Sequence, residues 1–507
     1  MTKKILALVL AGMMLLAALV ACGTDENAGD VGADAGSGDD VVDSGEQTRS
    51  TQDDLGEFDF NGGKYKILSR QQTAYEFDEK DKSGSGGDNV SQKVAERNAM
   101  VEQRFNVKIE VESVEGSFES TAFTGKINAE IANGYTSFAL VSGHSNRLAQ
   151  IAVDGAGMDM NKLEGVDYTK EWWSEAFYNE CLIDEKTYIM IGDIAYSMYE
   201  RMEVVYFNQT MVDANNLCDD MYALVMTENE DGSITVNKEW TYEKMKTMAL
   251  TVPNATTVDQ QSEFGLIVNS HAVKALLTGM EVEFTKRDET GRHRMVSELD
   301  TNTATIIDNL IDDISLNNSF RWNKKDTSTD ETFATPKFAE GKVLFYVAEL
   351  RQAAGIANMK QEFGVLPTPL KDELQESYHT GGRDEMSGVM VLQGFSNVEM
   401  AGVITEALAM YSYQLIRPEY YEVTLKTRYT DDVRMGKMLD FIRKNYTIPF
   451  GLCYTTVIGN PYWPIEECYD TQGNTSIVTK YNNNKSTYNR QLNNMYNKID
   501  GKPLEEA

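Results

Sequence analysis

The chain reads Tyr65-Lys66-Ile67-Leu68, then Val107-Lys108-Ile109-Glu110-Val111 and then Phe138-Ala139-Leu140-Val141, three short runs with the apolar pattern of β-strands. Apolar residues recur at helical spacing between the first two runs, over 90–105, and between the last two, over 123–131. Strands that alternate with helices in this way need right-handed crossovers and form a parallel sheet covered on both faces. The sequence therefore predicts an α/β fold.

Polar side chains follow two of these strands. Arg70 lies just beyond the first strand, and His144 lies just beyond the third. In parallel α/β sheets the ligand site lies beyond the carboxyl ends of the strands. We therefore expect Arg70 and His144 to contact a ligand, with a loop salt bridge or a surface position as the alternative.

The rest of the chain continues with further strand-like and helix-like segments. The predicted strands are 188–191, 204–207, 265–268, 342–346, 363–366 and 390–392, and the later predicted helices are 398–413 and 432–445. The stretch from 208 to about 334 is mostly helical in pattern. With 507 residues in total, the chain is long enough for two or more lobes.

A series of short motifs, in a fixed order along the chain, resembles one protein family. The motifs are Phe207-Asn208, Trp240-Thr241 at a helix start, Gly341-Lys342-Val343-Leu344-Phe345, Phe363-Gly364-Val365-Leu366-Pro367 and Pro418-Glu419-Tyr420-Tyr421. In this order they resemble the carbohydrate-type extracellular solute-binding lipoproteins of bacterial ABC importers, relatives of the maltodextrin-binding protein. The resemblance runs from about Lys64 to Tyr454.

The resemblance implies a two-lobed periplasmic-binding-protein-like fold, with parallel sheets flanked by helices and a hinge of crossing strands. The first lobe would comprise 58–190 with 390–430, and the second would comprise 205–385 with 431–507. The crossings would fall near 187–207 and 385–392. A monomer that passes a saccharide to the permease subunits of an ABC transporter is the implied assembly.

Saccharides present apolar C–H faces that stack on aromatic rings, and hydroxyl groups that need hydrogen-bonding partners. The lobe arrangement directs several suitable side chains towards the cleft. The expected ligand-binding residues are Arg70, His144, Asp193, Tyr196, Tyr199, Arg201, Trp322 and Arg351. Packing within the hinge is the alternative for the four residues between 193 and 201.

The N-terminus has the pattern of an export signal. Lys3 and Lys4 precede an apolar run that ends in Leu19-Val20-Ala21-Cys22, which resembles a bacterial lipobox. Residues 1–21 are therefore expected to be a lipoprotein signal peptide, and Cys22 is expected to carry the lipid. An ordinary signal peptide with an incidental cysteine is the alternative. Residues 22–57 are rich in Asp, Glu, Gly and Ser, so they are expected to form a disordered tether.

Composition excludes some functions. The chain has 47 Lys and Arg against 79 Asp and Glu, a formal net charge of −32, and nucleic-acid binding requires a basic surface instead. The cysteines after Cys22, at 181, 218, 453 and 468, form no CxxC pair. One disulfide or four packed thiols are both compatible with that spacing.

The sequence contains no GxSxG, HExxH, GxxxxGK[ST] or strand-linked GxGxxG motif, and it has only four histidines. We therefore expect a binding protein with no catalytic residues, cofactor or metal. A lipid-anchored, secreted glycan hydrolase is the alternative in another class. A receptor for a peptide, phosphate or other anion is the alternative within the binding class, and Arg70, Arg351 and Arg383 keep it open.

Overall fold

The computed structural model describes residues 49–505 apart from short internal segments. The segments outside the description are 85–86, 254–260, 269–270, 317–319, 323–329, 384–385, 422–432 and 471–475. The expected signal peptide (1–21), Cys22 and the expected tether up to residue 48 also lie outside the described residues.

The strands confirm most of the segments that the apolar pattern predicts. In chain order they are β1 (Gly63–Arg70), β2 (Val107–Val114), β3 (Leu140–His144), β4 (Glu203–Asn208), β5 (Met226–Glu228), β6 (Ile234–Val236), β7 (Phe264–Val268), β8 (Thr285–Arg287), β9 (His293–Met295), β10 (Phe320–Trp322), β11 (Val343–Glu349), β12 (Phe363–Leu366) and β13 (Ser387–Met390). The predicted strand at 188–191 is wrong, because this segment contributes only one bridge, between Met190 and Val389.

The helices lie between and after these strands. They are α1 (Gly87–Phe105), α2 (Ala122–Ala132), α3 (Ser145–Val153), α4 (Glu175–Cys181), α5 (Ser197–Glu200), α6 (Gln209–Ala214), α7 (Tyr242–Ala249), α8 (Ala272–Gly279), α9 (Thr301–Leu316), α10 (Thr335–Ala339), α11 (Val398–Tyr411), α12 (Arg417–Tyr421), α13 (Val433–Lys444), α14 (Phe450–Cys453), α15 (Trp463–Asp470) and α16 (Ile477–Ile499). None of the helices in the described residues combines the length and apolar character that crossing a membrane requires.

Two sheets form the centres of the two lobes. The first has the strand order β13-β3-β1-β2, and the second has the order β10-β7-β11-β4-β12. Strands β1, β2 and β3 run parallel, as do β7, β10 and β11. Strand β13 runs antiparallel to β3, and β4 runs antiparallel to both β11 and β12. Strands β4 and β13 directly follow the segments that connect the two lobes. The parallel strands are joined by helical crossovers.

The passages between the two sheets run side by side and form the hinge. Met190 forms an antiparallel bridge with Val389, and Met202 forms one with Gly382. Ser387 donates its backbone N–H to the hydroxyl of Ser197 at 3.2 Å. Crossing strands therefore connect the lobes, in agreement with the expected periplasmic-binding-protein-like fold.

Side-chain caps and buried rings fix the elements of the second lobe. Thr241 accepts a hydrogen bond from the N–H of Lys244 at 3.2 Å, so it caps α7 as its sequence position predicts. The preceding Trp240 is fully buried, its indole N–H donates to Pro367 O at 2.8 Å, and its ring packs on Phe345. This tryptophan belongs to the core of the lobe.

The last long helix contacts both halves of the body. Lys498 of α16 forms an ion pair with Asp154, which follows α3, at 2.7 Å. Asp500, just beyond the same helix, pairs with Arg292 at 2.7 Å. Cys181 and Cys453 are buried thiols at the contact between α4 and α14. The C-terminal helices thus contact segments that are far apart in the sequence.

Residues 49–57 lie against the first lobe. Arg49 donates to the backbone carbonyls of Thr169 at 3.0 Å and Trp173 at 3.1 Å. Asp53 accepts from both terminal nitrogens of Arg104, at 2.6 and 2.9 Å. This segment therefore has specific contacts with the folded body, although its composition predicts a tether.

Candidate functional site

Strands β1 and β3 bring Arg70 and His144 into direct contact. Both side chains are buried, and the guanidinium of Arg70 donates to Nε2 of His144. The Nε of Arg70 also donates to the hydroxyl of Thr73 at 3.1 Å. Parallel pairing places the carboxyl ends of these strands at one edge of the sheet, which is why residues 74 positions apart meet.

His144 is neutral in this environment. Burial lowers its pKa, and the positive charges of Arg70, Arg147, Arg201 and Arg383 lower it further, to about 2. The hydroxyl of Thr73, which accepts from Arg70, also accepts from the hydroxyl of Ser387 in the hinge at 3.1 Å, so the strand edge of the first lobe lies against the hinge. The site is therefore formed where the first-lobe strand edge meets the hinge.

The aromatic side chains of the hinge loop are buried and pack on neighbouring segments. Tyr196 is buried and packs on Tyr75 and Tyr420, with ring centroids 5.2 and 6.0 Å apart. Tyr199 is also buried and packs on Tyr420 and Tyr421 at 5.7 and 5.5 Å. Both expected ligand-stacking rings thus support the hinge in this conformation.

Two acidic side chains tie the first lobe to the hinge helix α5. The hydroxyl of Tyr75 donates to the carboxylate of Glu200. Glu76 accepts the N–H of Ser197 at 2.9 Å, and its other carboxylate oxygen is buried without a partner among the described residues. Burial raises the pKa of Glu76, although hydrogen bonds from Ser197 oppose this rise.

The second-lobe wall is organised by Glu349 at the end of β11. Its buried carboxylate accepts from Arg201 at 2.7 Å and from Arg351 at 2.5 Å, and it lies 3.4 Å from Arg383. Burial works against the charged form, but Arg201, Arg383 and Arg351 together hold the pKa of Glu349 at about 2. One carboxylate therefore orients guanidinium groups from three separate segments.

The remaining expected site residues lie elsewhere. Asp193 is buried behind the hinge, where it accepts from Arg443 at 3.1 Å and lies 3.9 Å from Arg417. Burial raises its pKa, and Arg443 opposes this effect. Trp322 ends β10, and its side chain lies outside the described part of the chain. Among the expected site residues whose side chains the structure describes, Arg351 of the second-lobe wall is the most exposed, at 34%.

Three residues near the expected ones were not predicted from the sequence. They are Glu349, Tyr75 and Phe118, whose ring centroid lies 4.6 Å from that of the His144 imidazole. Glu349 lies three residues beyond the predicted strand end, and the strand is longer because β4 pairs with it as far as Glu349. Tyr75 and Phe118 lie in connections that follow β1 and β2. The rule that ligands bind beyond strand ends applies to β2 as well, and it could have identified the loop that carries Phe118.

Among the residues that the structure describes, no group of histidine, cysteine or acidic side chains is arranged to hold a metal ion. The site offers guanidinium, imidazole and hydroxyl groups next to aromatic rings. This combination suits the recognition of a polar organic solute through hydrogen bonds and stacking.

Solved structures with the same fold bind saccharides. An ABC substrate-binding protein of Listeria monocytogenes, solved with cycloalternan, has 12% identity and a TM-score of 0.50, covering 87% of this chain and 100% of that one. A cyclo/maltodextrin-binding protein complexed with maltotetraose has 12% identity and a TM-score of 0.52, covering 87% and 97%. The GacH receptor of Streptomyces glaucescens, solved unliganded and with acarbose, has 12% identity and a TM-score of 0.51, covering 85% and 99%. At this identity the similarity concerns the fold.

Sequence comparison identifies the family. No curated protein sequence matches the chain. The family model of the bacterial extracellular solute-binding proteins matches residues 98–402, which is more than half of the 507 residues. The match covers β3, the hinge, the second-lobe sheet and β13. The chain therefore belongs to the bacterial extracellular solute-binding proteins.

Proposed function

We propose that this protein is the receptor of an ABC importer for a neutral oligosaccharide. The observation that carries the proposal is the cluster of Arg201, Arg351 and Arg383 around Glu349, together with the Arg70–His144 pair of the first lobe. Guanidinium groups held by a carboxylate are oriented donors whose charge is already balanced in part. Such donors suit sugar hydroxyls, which need directed hydrogen bonds without a compensating charge.

Two further observations support a saccharide. Solved proteins of this fold are complexed with cycloalternan, maltotetraose and acarbose. The half-buried ring of Phe118 also lies beside the hydrogen-bonding groups of Arg70 and His144, as a ligand with hydroxyl groups and C–H faces requires. The family is one of binding proteins, which favours a receptor over a glycan hydrolase.

The test is a thermal-shift screen with maltotetraose, cellotetraose, mannotetraose and galactotetraose, with inorganic phosphate and a tetrapeptide as non-sugar probes. A ligand at 100 times its Kd that binds only the native state stabilises it by about 2.7 kcal/mol, so the melting temperature should rise for at least one saccharide. A rise with phosphate or peptide alone would contradict the saccharide proposal. Release of shorter sugars during incubation would favour the hydrolase.

The family is extracellular, so the folded body works outside the cytoplasm. We further propose that the lobes comprise 58–190 with 390–430 and 205–385 with 431–507.

We also propose that residues 1–21 are removed and that Cys22 carries the lipid anchor. Cys22→Ala should leave the precursor uncleaved or release the protein from the membrane. Intact-mass analysis that finds an unmodified residue other than Cys22 at the N-terminus would contradict the anchor.

A further inference from the structure

The loop after β2 carries an aromatic side chain to the same strand edge as Arg70 and His144. The ring of Phe118 is half-buried, and its centroid lies 4.6 Å from that of the His144 imidazole. The guanidinium of Arg147 lies 5.2 Å from the centre of the Phe118 ring and donates to Phe118 O at 2.9 Å. The imidazole of His144 therefore packs against the Phe118 ring, and the guanidinium of Arg147 lies over it.

The loop can approach this closely because it contains a glycine at the contact point. A Cβ atom at Gly116 would lie only 2.6 Å from the Cβ of Arg70. The same loop is held to the next helix by a hydrogen bond from Phe123 N to Glu115 O at 3.2 Å. The placement of Phe118 beside His144 is thus built into the backbone.

The contact with Arg70 also fixes the tautomer of His144. A guanidinium has donors and no acceptor, so Nε2 of His144 must accept, and the proton of the neutral imidazole must be on Nδ1. Nδ1 is buried and has no hydrogen-bond partner among the described residues. A buried N–H without an acceptor is unfavourable, and a ligand oxygen would satisfy it.

We propose that Phe118 and the Nδ1–H of His144 form a first-lobe subsite for one neutral pyranose ring, an inference that rests on the proposed saccharide function. The C–H face of the sugar stacks on Phe118, and an oxygen of the same ring accepts from Nδ1. Since the phenyl ring now lies over the imidazole, the sugar reaches Nδ1 by displacing that ring sideways. The hydrogen bond from Arg147 to Phe118 O keeps the backbone of the loop in place while the phenyl side chain turns.

The first experiment measures the affinity of purified wild-type protein and two variants by calorimetry, with the tetrasaccharide that gives the largest thermal shift. Phe118→Ala should weaken binding at least about fivefold, because a stacking surface is lost. The control is Tyr135→Ala. Tyr135 is an aromatic side chain that is 59% exposed, and it precedes β3 and so lies at the opposite edge of the sheet. Wild-type affinity in Phe118→Ala would overturn the proposal.

The second experiment separates the two imidazole nitrogens. His144→Asn keeps an amide donor near the position of Nδ1, whereas His144→Gln places its amide near the position of Nε2 and lacks the Nδ1 donor. The Gln variant should bind about threefold to tenfold more weakly than wild type, and the Asn variant should lose less. Equal or tighter binding by His144→Gln would overturn the role of Nδ1.

A measurement without ligand distinguishes failure of the proposed subsite from failure of the proposed saccharide function. Long-range 15N–1H correlation spectra of the wild-type protein at pH 7 should show a neutral His144 with its proton on Nδ1. The Nε2–H tautomer, or an imidazolium, would overturn the subsite even if a saccharide binds. If no tetrasaccharide binds the wild-type protein, the proposed saccharide function fails and the subsite fails with it.

Discussion

Oε1 of Glu349 accepts a hydrogen bond from Nη1 of Arg201 at 2.7 Å. Glu349 ends a strand of the second lobe, whereas Arg201 directly follows the hinge helix, so this bond joins the second lobe to the hinge. Arg351 and Arg383 share the same carboxylate. The geometry of the second-lobe wall therefore depends on one buried charge.

Replacing that charge should destabilise the protein. Glu349→Gln leaves the guanidinium groups beside it uncompensated, and removing one partner of a buried ion pair costs about 3–5 kcal/mol. Urea unfolding at pH 7 should show this loss. Glu376→Gln, at an exposed carboxylate of the same lobe, should unfold like wild type. Unchanged unfolding of Glu349→Gln would mean that the cluster is not structural.

The same residue predicts a dependence on pH. The pKa of Glu349 is lowered to about 2 in the folded protein, from 4.5 in an unfolded chain. Glu349 therefore stabilises the folded protein fully above pH 4.5, and this stabilisation is lost as the pH falls from 4.5 towards 2. Wild-type protein should lose stability over this range faster than Glu349→Gln does. Parallel acid-unfolding curves for the two proteins would contradict the assignment.

A second buried carboxylate should have the opposite dependence. Glu406 accepts from the indole N–H groups of Trp172 and Trp173, both at 2.9 Å. Burial raises its pKa to about 8, although these hydrogen bonds oppose the rise. Because the pKa is higher in the folded protein, Glu406 stabilises the fold fully below the unfolded value of pH 4.5. This stabilisation is lost as the pH rises towards 8, by at most about 1.4 kcal/mol per pH unit.

Tryptophan fluorescence during urea unfolding between pH 5 and 8 measures this effect. Glu406→Gln should show a flatter stability profile than wild type, since its amide does not titrate. The exposed Glu399 of the same helix provides the control, and Glu399→Gln should keep the wild-type decline. A decline of equal slope in Glu406→Gln would show that another group causes it.

Local sequence patterns predict the strands well, because β1, β2, β7 and β12 depend on their own apolar residues. Pairing direction is not local. Whether β13 runs antiparallel to β3 depends on a passage through the hinge, which no short pattern reveals. The topology rule predicted that Arg70 and His144 share one edge, yet it could not show that they contact each other.

The sequence could not show that the hinge tyrosines are buried. A Tyr in a loop rich in aromatic and charged residues is equally compatible with contacting a ligand and with packing inside the protein. Tyr196 is 1% exposed because Tyr75 and Tyr420 come from distant segments to enclose it. Only the tertiary fold distinguishes the two readings.

Because Tyr196 is enclosed by other residues, Tyr196→Ala should destabilise the protein. Removing a fully enclosed ring leaves a cavity, and truncating large aromatic core residues costs about 3–5 kcal/mol. The melting temperature of the empty protein should therefore fall clearly, whereas Tyr196→Phe should keep most of the stability. A normal melting temperature for Tyr196→Ala, together with weaker sugar binding, would show that the ring faces the ligand.

The N-terminal boundary of the folded body can be measured with two shortened chains. A chain that starts at Arg49 keeps the Arg49 and Asp53 contacts, and a chain that starts at Phe58 loses them. Hydrogen bonds to charged groups contribute about 1.5–3 kcal/mol each, so the shorter chain should be less stable by at least about 2 kcal/mol. Equal unfolding midpoints would indicate that residues 49–57 act as part of the tether.

The last prediction concerns closure of the lobes on a saccharide. The side chain of Arg351 is 34% exposed, so it is available to a ligand while Glu349 orients it. Arg351→Ala should remove a charged donor worth about 1.5–3 kcal/mol and weaken binding at least tenfold. The melting temperature of the empty protein should fall less than in Glu349→Gln, because Arg201 and Arg383 still compensate the buried carboxylate. Arg434→Ala, at an arginine with a 53% exposed side chain that pairs with Asp220, is the control and should bind like wild type.

Closure follows if the ligand makes more contacts when both walls reach it than when one does, because a ligand shifts an equilibrium only by its differential affinity for the two states. The hinge bridges, Met190 with Val389 and Met202 with Gly382, mark where the backbone would bend. Small-angle scattering should therefore show a smaller radius of gyration at saturation in wild-type protein. We expect Arg351 to supply a second-lobe contact to the ligand, so its Ala variant should need more ligand to reach the same closed form. An unchanged radius at saturation, with wild-type affinity in Arg351→Ala, would place the binding site outside the cleft.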